Sequence, residues 1–191
     1  MFKNIFNFIP TVRKQFVYAV DQARVTGTLV GLYLIRSSFA ENRAVSLVGF
    51  SLGGVVSFNC MRMIKRLNDF SSYPKAGTLI NDVMIWAGAY IIDLSKKYEE
   101  ILEKSQNCLI VNGNLNNLYS KVDFALKGMG SPILYNGYRA IGLYAIFKDI
   151  KEEDKERSKA AINYDLTVEA PGHSCYGPNC GQFLHLIKDY Y

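Results

Sequence analysis

Ser51 in the run Gly49-Phe50-Ser51-Leu52-Gly53 has the G-x-S-x-G spacing that presents a nucleophilic hydroxyl from a tight turn between a strand and a helix. Such a turn holds the serine backbone in a strained conformation, so the positions two before and two after it must be small. Gly49 and Gly53 meet that requirement, and Gly54 adds room. The helix that follows aims free backbone N–H groups and its positive dipole end at the place where an oxyanion develops, and the N–H of Leu52 is the first of those donors. A plainer reading uses the same residues: the glycines let strand and helix pack closely, and Ser51 caps the helix.

A nucleophilic serine needs a base and a group to orient it. In hydrolases built on this turn the acid comes next in the chain and the histidine last. The sequence contains two histidines. His185 sits in the apolar periodic run "QFLHLI" and reads as packing, whereas His173 lies in the Pro/Gly loop "APGHSCYG" after the last strand. His173 is therefore the candidate base. The acid is expected at the tip of the strand "NCLIVNGN", which carries no carboxylate; Asn114 occupies that position. Asp123 is the nearest carboxylate downstream, expected a turn or more into the next helix. An asparagine could orient the imidazole but not stabilise the imidazolium, and an Asp-to-Asn exchange in a catalytic triad costs about 10⁴ in rate.

His173, Cys175, Cys180 and His185 also form an H-x-C-x4-C-x4-H series of residue types that bind zinc. The series lacks C-x2-C and the usual finger spacing, and it competes with the hydrolase reading for His173. The reading adopted from the sequence has no metal and no cofactor.

The elements that must position these residues alternate in type. Residues 11–40 show helical recurrence of Val12, Phe16, Ala19, Val20 and Ala23, with Gly27 and Gly31 read as close packing against a sheet. "AVSLVGF" from Ala44 is a buried strand, and "LGGVVSFNCMRMIKRLND" a helix with Arg62, Lys65 and Arg66 at its C-terminal end. "DVMIWAGAY" from Asp82 and "NCLIVNGN" from Asn107 are two more strands, separated by a helix "SKKYEEILEKS" capped by Ser95. "INYDLTV" from Ile162 is a fourth strand, and a helix occupies the last ten or so residues. The Gly/Tyr-rich stretch Gly128 to Phe147 is a candidate cover for the site. This alternation predicts an α/β fold with a mostly parallel sheet flanked by helices, in a single domain over 1–191. About 44 residues precede the Ser51 strand and read mainly as helix. The early strands that supply a second oxyanion donor are therefore expected to be missing, at a cost of about 10²–10³ in rate.

Composition narrows the function classes. A length of 191 residues with 49% hydrophobic and 20% charged residues is that of one globular domain. The net charge of +5 is not gathered into a basic, aromatic-interleaved stripe, so nucleic acid is not an expected partner. The most apolar run, "VTGTLVGLYLI", has 11 residues between Arg24 and Arg36, short of the roughly 20 of a membrane span. "MFKNIFNFIP" lacks a small-residue cleavage site. The expectation is an intracellular location with the four cysteines reduced.

Four segments, "SLVGFSLGGVVSFNCM", "LINDVMIWAGAY", "YRAIGLYAI" and "INYDLTVEAPGHSCY", together resemble the C-terminal part of the transmembrane and coiled-coil domain-containing protein 4 family. This lipase-like α/β-hydrolase group is also described as domain of unknown function 726, and the likeness runs from about Arg43 to the end. The resemblance implies a partial α/β-hydrolase fold lacking its N-terminal strands, Ser51 as nucleophile and His173 as base. It also implies membrane association through apolar helices upstream of the hydrolase domain. The family pattern has a Gly-Asp pair after the third strand, where this sequence has Gly113-Asn114, and Gly-Ala-Pro after the second, where it has Gly88-Ala89-Tyr90. Two functions remain in view: a lipase- or esterase-type serine hydrolase acting on a small-molecule or lipid ester, and an inactive hydrolase-like domain with an interaction role at a membrane.

Overall fold

The computed structural model describes residues 3–37, 44–70, 79–92, 111, 113–129, 139–145 and 161–183. In chain order its elements are α1 (Lys3–Arg36), β1 (Val45–Phe50), α2 (Leu52–Phe70), β2 (Ile80–Trp86), β3 (Ile91–Ile92), β4 (Leu115–Tyr119), α3 (Phe124–Met129), β5 (Arg139–Ala140) and β6 (Ala161–Asp165), with short 3₁₀ turns at Ile141–Leu143 and His173–Cys175. β1, β2, β4 and β6 form a four-stranded sheet in that order, every pair parallel. β3 and β5 make a separate antiparallel pair. The class is α/β. All four parallel strands end on the same side, and ligands of such sheets bind beyond the carboxyl ends of the strands.

Two apolar clusters hold the sheet in place. Under one half, Phe58, Met61 and Ile64 of α2 pack with Leu34 of α1 against Ile80, Val83, Ile85 and Leu115. Beyond the carboxyl ends, Leu118, Leu126, Leu166, Tyr176 and Phe183 form the second. Burying a large apolar side chain contributes about 1.5–3 kcal/mol. Fixing the loops that bear the polar residues at this end therefore falls to the second cluster.

Three expectations are corrected here. Gly27 and Gly31 lie against α2, not a sheet: a Cβ at Gly31 would stand 2.9 Å from Cys60 O and 3.0 Å from Met63 Cβ, and one at Gly27 would run into Val56 O. Small residues at i and i+4 bring two helix backbones together as they would a helix and a sheet, so periodicity alone does not distinguish the two. α2 continues to Phe70, so Arg62, Lys65 and Arg66 stand before its last turn. The third parallel strand, where described, is "LNNLY", later than expected; residues 107–110 and 112 of "NCLIVNGN" lie outside the described residues. Val111 makes an isolated bridge to Ile80, Gly113 and Asn114 lead in, and β4 begins at Leu115. β4 escapes a hydrophobic-pattern reading because it buries Asn116 and Asn117. The Asn117 NH₂ reaches sideways, donating to Tyr144 O at 2.9 Å, Asn163 Oδ1 at 3.2 Å and Ile141 O at 3.4 Å, while its Oδ1 has no partner among the described residues.

The segment expected to cover the site is, where described, core. Ile141, Gly142 and Leu143 are buried, and a Cβ at Gly142 would meet Gly88 N at 2.6 Å. Residues 130–138, 146 and 147 lie outside the described residues, as do the helix expected from Ser95 and residues 184–191. Among the described residues no helix is long and apolar enough to cross a membrane.

Candidate active site

β1 runs directly into α2, and Ser51 is the single residue between them. Its φ is +53°, a left-handed value rare for a residue with a side chain. Such strain costs of order 1–3 kcal/mol and persists only where surrounding bonds over-determine it. Here they do: Ser51 N–H donates to Trp86 O at 2.9 Å, and Ser51 O accepts from Gly54 N–H at 3.0 Å and Ala89 N–H at 2.9 Å. Ala87, at the end of β2, is the other described non-glycine residue with positive φ, at +45°. Its N–H donates to Leu118 O at 3.0 Å, and its neighbours Trp86 and Ala89 make the bonds to Ser51, so the two strained turns stand side by side on adjacent strands.

The two glycines of the motif do different things. A Cβ at Gly49 would lie 2.5 Å from Gly53 O and 2.8 Å from Ser57 Oγ, so β1 can pass beneath the first turn of α2 only without a side chain there. A Cβ at Gly53 would meet nothing within 4 Å. The expectation that both positions must be small for steric reasons therefore holds at 49 and fails at 53, where the helix surface is open.

Asp123 follows β4 by four residues and immediately precedes α3. It caps that helix instead of lying within it: Leu126 N–H donates to Asp123 Oδ1 at 3.0 Å. Its other oxygen, Oδ2, is 2.8 Å from Nδ1 of His173. The Asp123 side chain is fully buried and that of His173 is 21% exposed. An ionised carboxylate only accepts, so with Asp123 in that form Nδ1 is the donor, and a neutral ring then keeps its lone pair on Nε2. Phe50, the neighbour of Ser51, has its ring 4.9 Å from the His173 ring. Ser51, Asp123 and His173 thus all stand at the carboxyl end of the sheet, after β1, β4 and β6. No hydrogen bond joins the Ser51 hydroxyl to His173 among the described residues; the Phe50 ring packs against His173 and Tyr176.

Asn114 is elsewhere. It precedes β4, and its backbone N–H donates to Asp82 Oδ1 at 2.8 Å, near the start of β2. That is the amino end of the sheet. The reading of Asn114 as occupying the acid position rested on placing the strand one segment too early.

Leu52 opens α2, so its backbone N–H is one of the orphan donors of a helix start, beside Ser51. The described residues ahead of β1 form α1 alone, and no loop from an earlier strand stands among them. As for metal, no group of three or more His, Cys, Asp or Glu side chains among the described residues could hold an ion. Cys175 and Cys180 are free thiols, and His185 lies outside the described residues.

Sequence reasoning missed the polar network beside the pair. Asp165, the last residue of β6, accepts from Lys121 Nζ, from the Thr167 hydroxyl, from Thr167 N–H at 3.1 Å and from Tyr119 OH at 3.3 Å. Burial alone would raise its pKa, but the hydrogen bonds from Lys121 and Thr167 and the lysine charge outweigh that and lower it to about 2. The available signal was the D-x-T spacing of Asp165 and Thr167, which lets a carboxylate accept from the backbone two residues on. Tyr176 is wholly buried below Phe50, with ring centroids 6.1 Å apart. Its hydroxyl has no partner among the described residues, and burial, followed by the charges of Asp123 and Asp165, pushes its pKa up.

Residues 9–188 match the family described as "Protein of unknown function (DUF726)". This chain belongs to the DUF726 family. The DUF726 chain is also similar, at 24% identity over 168 residues, to a Caenorhabditis elegans protein named "Uncharacterized membrane protein F35D11.3". The matched region is 88% of this chain and 24% of that relative's length. No solved structure matches the chain.

Proposed function

We propose that this DUF726 chain is a serine hydrolase of lipase or esterase type, built on part of an α/β-hydrolase fold. The observation that carries the reading is the part-buried Asp123–His173 hydrogen bond at the end of the sheet where Ser51 adopts its left-handed turn. The order serine, acid, histidine follows strands β1, β4 and β6.

In this reading Ser51 Oγ attacks the ester carbonyl carbon while His173 Nε2 takes its proton. Asp123 stabilises the imidazolium so formed and holds its tautomer. Leu52 N–H donates to the carbonyl oxygen as it becomes an oxyanion. Collapse expels the alkoxide, which leaves as the alcohol with the proton from His173. Water then cleaves the acyl-serine by the same steps, with His173 again as base. For the proton transfer, Ser51 and His173 must close to hydrogen-bond distance with substrate bound, as catalytic hydrogen bonds commonly do on forming the complex. The nematode relative is named a membrane protein, which supports action near a membrane.

The test is covalent labelling with a fluorophosphonate probe. The expected result is labelling of the folded chain that is abolished by Ser51→Ala and strongly slowed by His173→Ala. No labelling of folded protein would instead favour an inactive hydrolase-like domain with an interaction role at a membrane.

A further inference from the structure

We propose that Thr167, held by Asp165, is a positioning residue that aligns the Asp123–His173 pair. The proposal rests on the hydrolase reading only for its kinetic arm. Asp123 and His173 lie on different loops, after β4 and after β6. Two long-range backbone-anchored bonds tie the roots of these loops. Leu166 N–H donates to Tyr119 O at 2.8 Å, which extends the pairing of β4 and β6. One residue further on the strands have ended, and the next link is a side chain: Lys121 N–H donates to Thr167 Oγ1 at 3.0 Å.

That hydroxyl does two jobs. It accepts from the backbone of the Asp123 loop, and it donates to Asp165 Oδ1. Asp165 also receives Thr167 N–H at 3.1 Å, so the threonine backbone and side chain are both fixed to one carboxylate oxygen. Its other oxygen takes Lys121 Nζ, closing the loop from the opposite side. From Lys121 the chain turns through Asp123 N–H to Ser120 O at 3.2 Å, which delivers the Asp123 side chain. From Thr167 it reaches Ala170, whose N–H donates to Leu166 O at 2.7 Å, and then His173. The hydroxyl at 167 is thus a hydrogen-bonded link between the two loops, beyond the last backbone link and short of the Asp123–His173 bond itself. Among the described residues no hydrogen bond joins Thr167 or Asp165 to the imidazole or the serine, and their effect passes through the placement of Asp123 and His173. Misplacing a catalytic group by about 1 Å can cost 10² in rate.

The experiment combines proton NMR with kinetics on the full chain. A hydrogen-bonded Nδ1–H on His173 gives a far-downfield resonance, identified by its loss in His173→Ala and retained in Ser51→Ala. Thr167→Val keeps the shape of the side chain and removes the hydroxyl. It is expected to broaden or abolish that resonance and to lower kcat on an activated ester about 10- to 100-fold with little change in KM. Thr167→Ser restores the hydroxyl and is expected to restore both. Asp165→Asn, which keeps an oxygen toward Thr167, is expected to fall between them. Thr167→Val with an unaltered resonance overturns the proposal, as does a Thr167→Ser variant that behaves like valine. If no variant or wild type turns over ester or labels, yet the resonance follows the hydroxyl at 167, the positioning role stands and the hydrolase reading falls.

Discussion

Replacing Asp123 by Asn probes the pair with the least disturbance of the fold. The side chain is fully buried, so solvent cannot substitute for it. Asn can still cap α3 through the bond to Leu126 N–H, and Asn and Asp are about equal in that role. With its oxygen held there, the variant turns an NH₂ toward His173. Nδ1 must then accept, the proton moves to Nε2, and the imidazole is no longer a base toward Ser51. The lost charge adds to this. At an effective dielectric constant of about 20, opposite charges about 4 Å apart attract by roughly 4 kcal/mol. At 1.36 kcal/mol per decade that is about three decades of rate, and the tautomer change brings the loss toward the roughly 10⁴ seen on such a substitution in a triad. The assay is the second-order rate of fluorophosphonate labelling, or hydrolysis of a p-nitrophenyl ester, with circular dichroism as the folding check. A folded Asp123→Asn protein that keeps more than a tenth of the wild-type rate, while Ser51→Ala is inert, would refute the acid role.

Other substitutions separate the physical contributions. Gly49→Ala forces a methyl to within 2.5 Å of Gly53 O and should cost about 1–3 kcal/mol in urea denaturation, whereas Gly53→Ala meets nothing and should be neutral or stabilising by up to about 1 kcal/mol through helix propensity. Asp165 has a folded-state pKa lowered to about 2 from the ordinary 3.8, so its contribution is present above 3.8 and lost as pH falls through 2. The stability difference between wild type and Asp165→Asn should therefore be flat above about pH 5 and shrink between pH 4 and 2, read from urea midpoints. Tyr176→Phe removes a buried hydroxyl that has no partner among the described residues and should leave the melting temperature unchanged or raise it, by a stability gain of up to about 1 kcal/mol.

The sequence disclosed what local rules govern. The elbow was legible because strand, glycine and helix follow one another within six residues, and the short apolar run of β2 was legible because such runs mark buried strands. Position along the chain was misread where burial and polarity part company. β4 reads "LNNLY", with Asn116 and Asn117 wholly inside, and a hydrophobic-pattern rule passes over it to the more apolar run before it. That single displacement moved the expected acid from one end of the sheet to the other and left Asp123 looking like a mid-helix residue. The partners that make Asn117 tolerable, at Ile141, Tyr144 and Asn163, are 24 to 46 residues away, so nothing nearby in sequence announces them. The bond between Asp123 and His173 spans 50 residues and was a matter of order in the chain, not of distance.

β1 is one of the two edge strands of the described sheet, and Val48 on it is 62% exposed. Among the described strands, the bend at Ser51 is thus cantilevered from β2. The hydroxyl's aim is inherited from the hinge at Trp86–Ala89, which grips both ends of the Ser51 peptide. Small changes at Ala87 or Ala89, remote from any proton transfer, should therefore steer the serine as well.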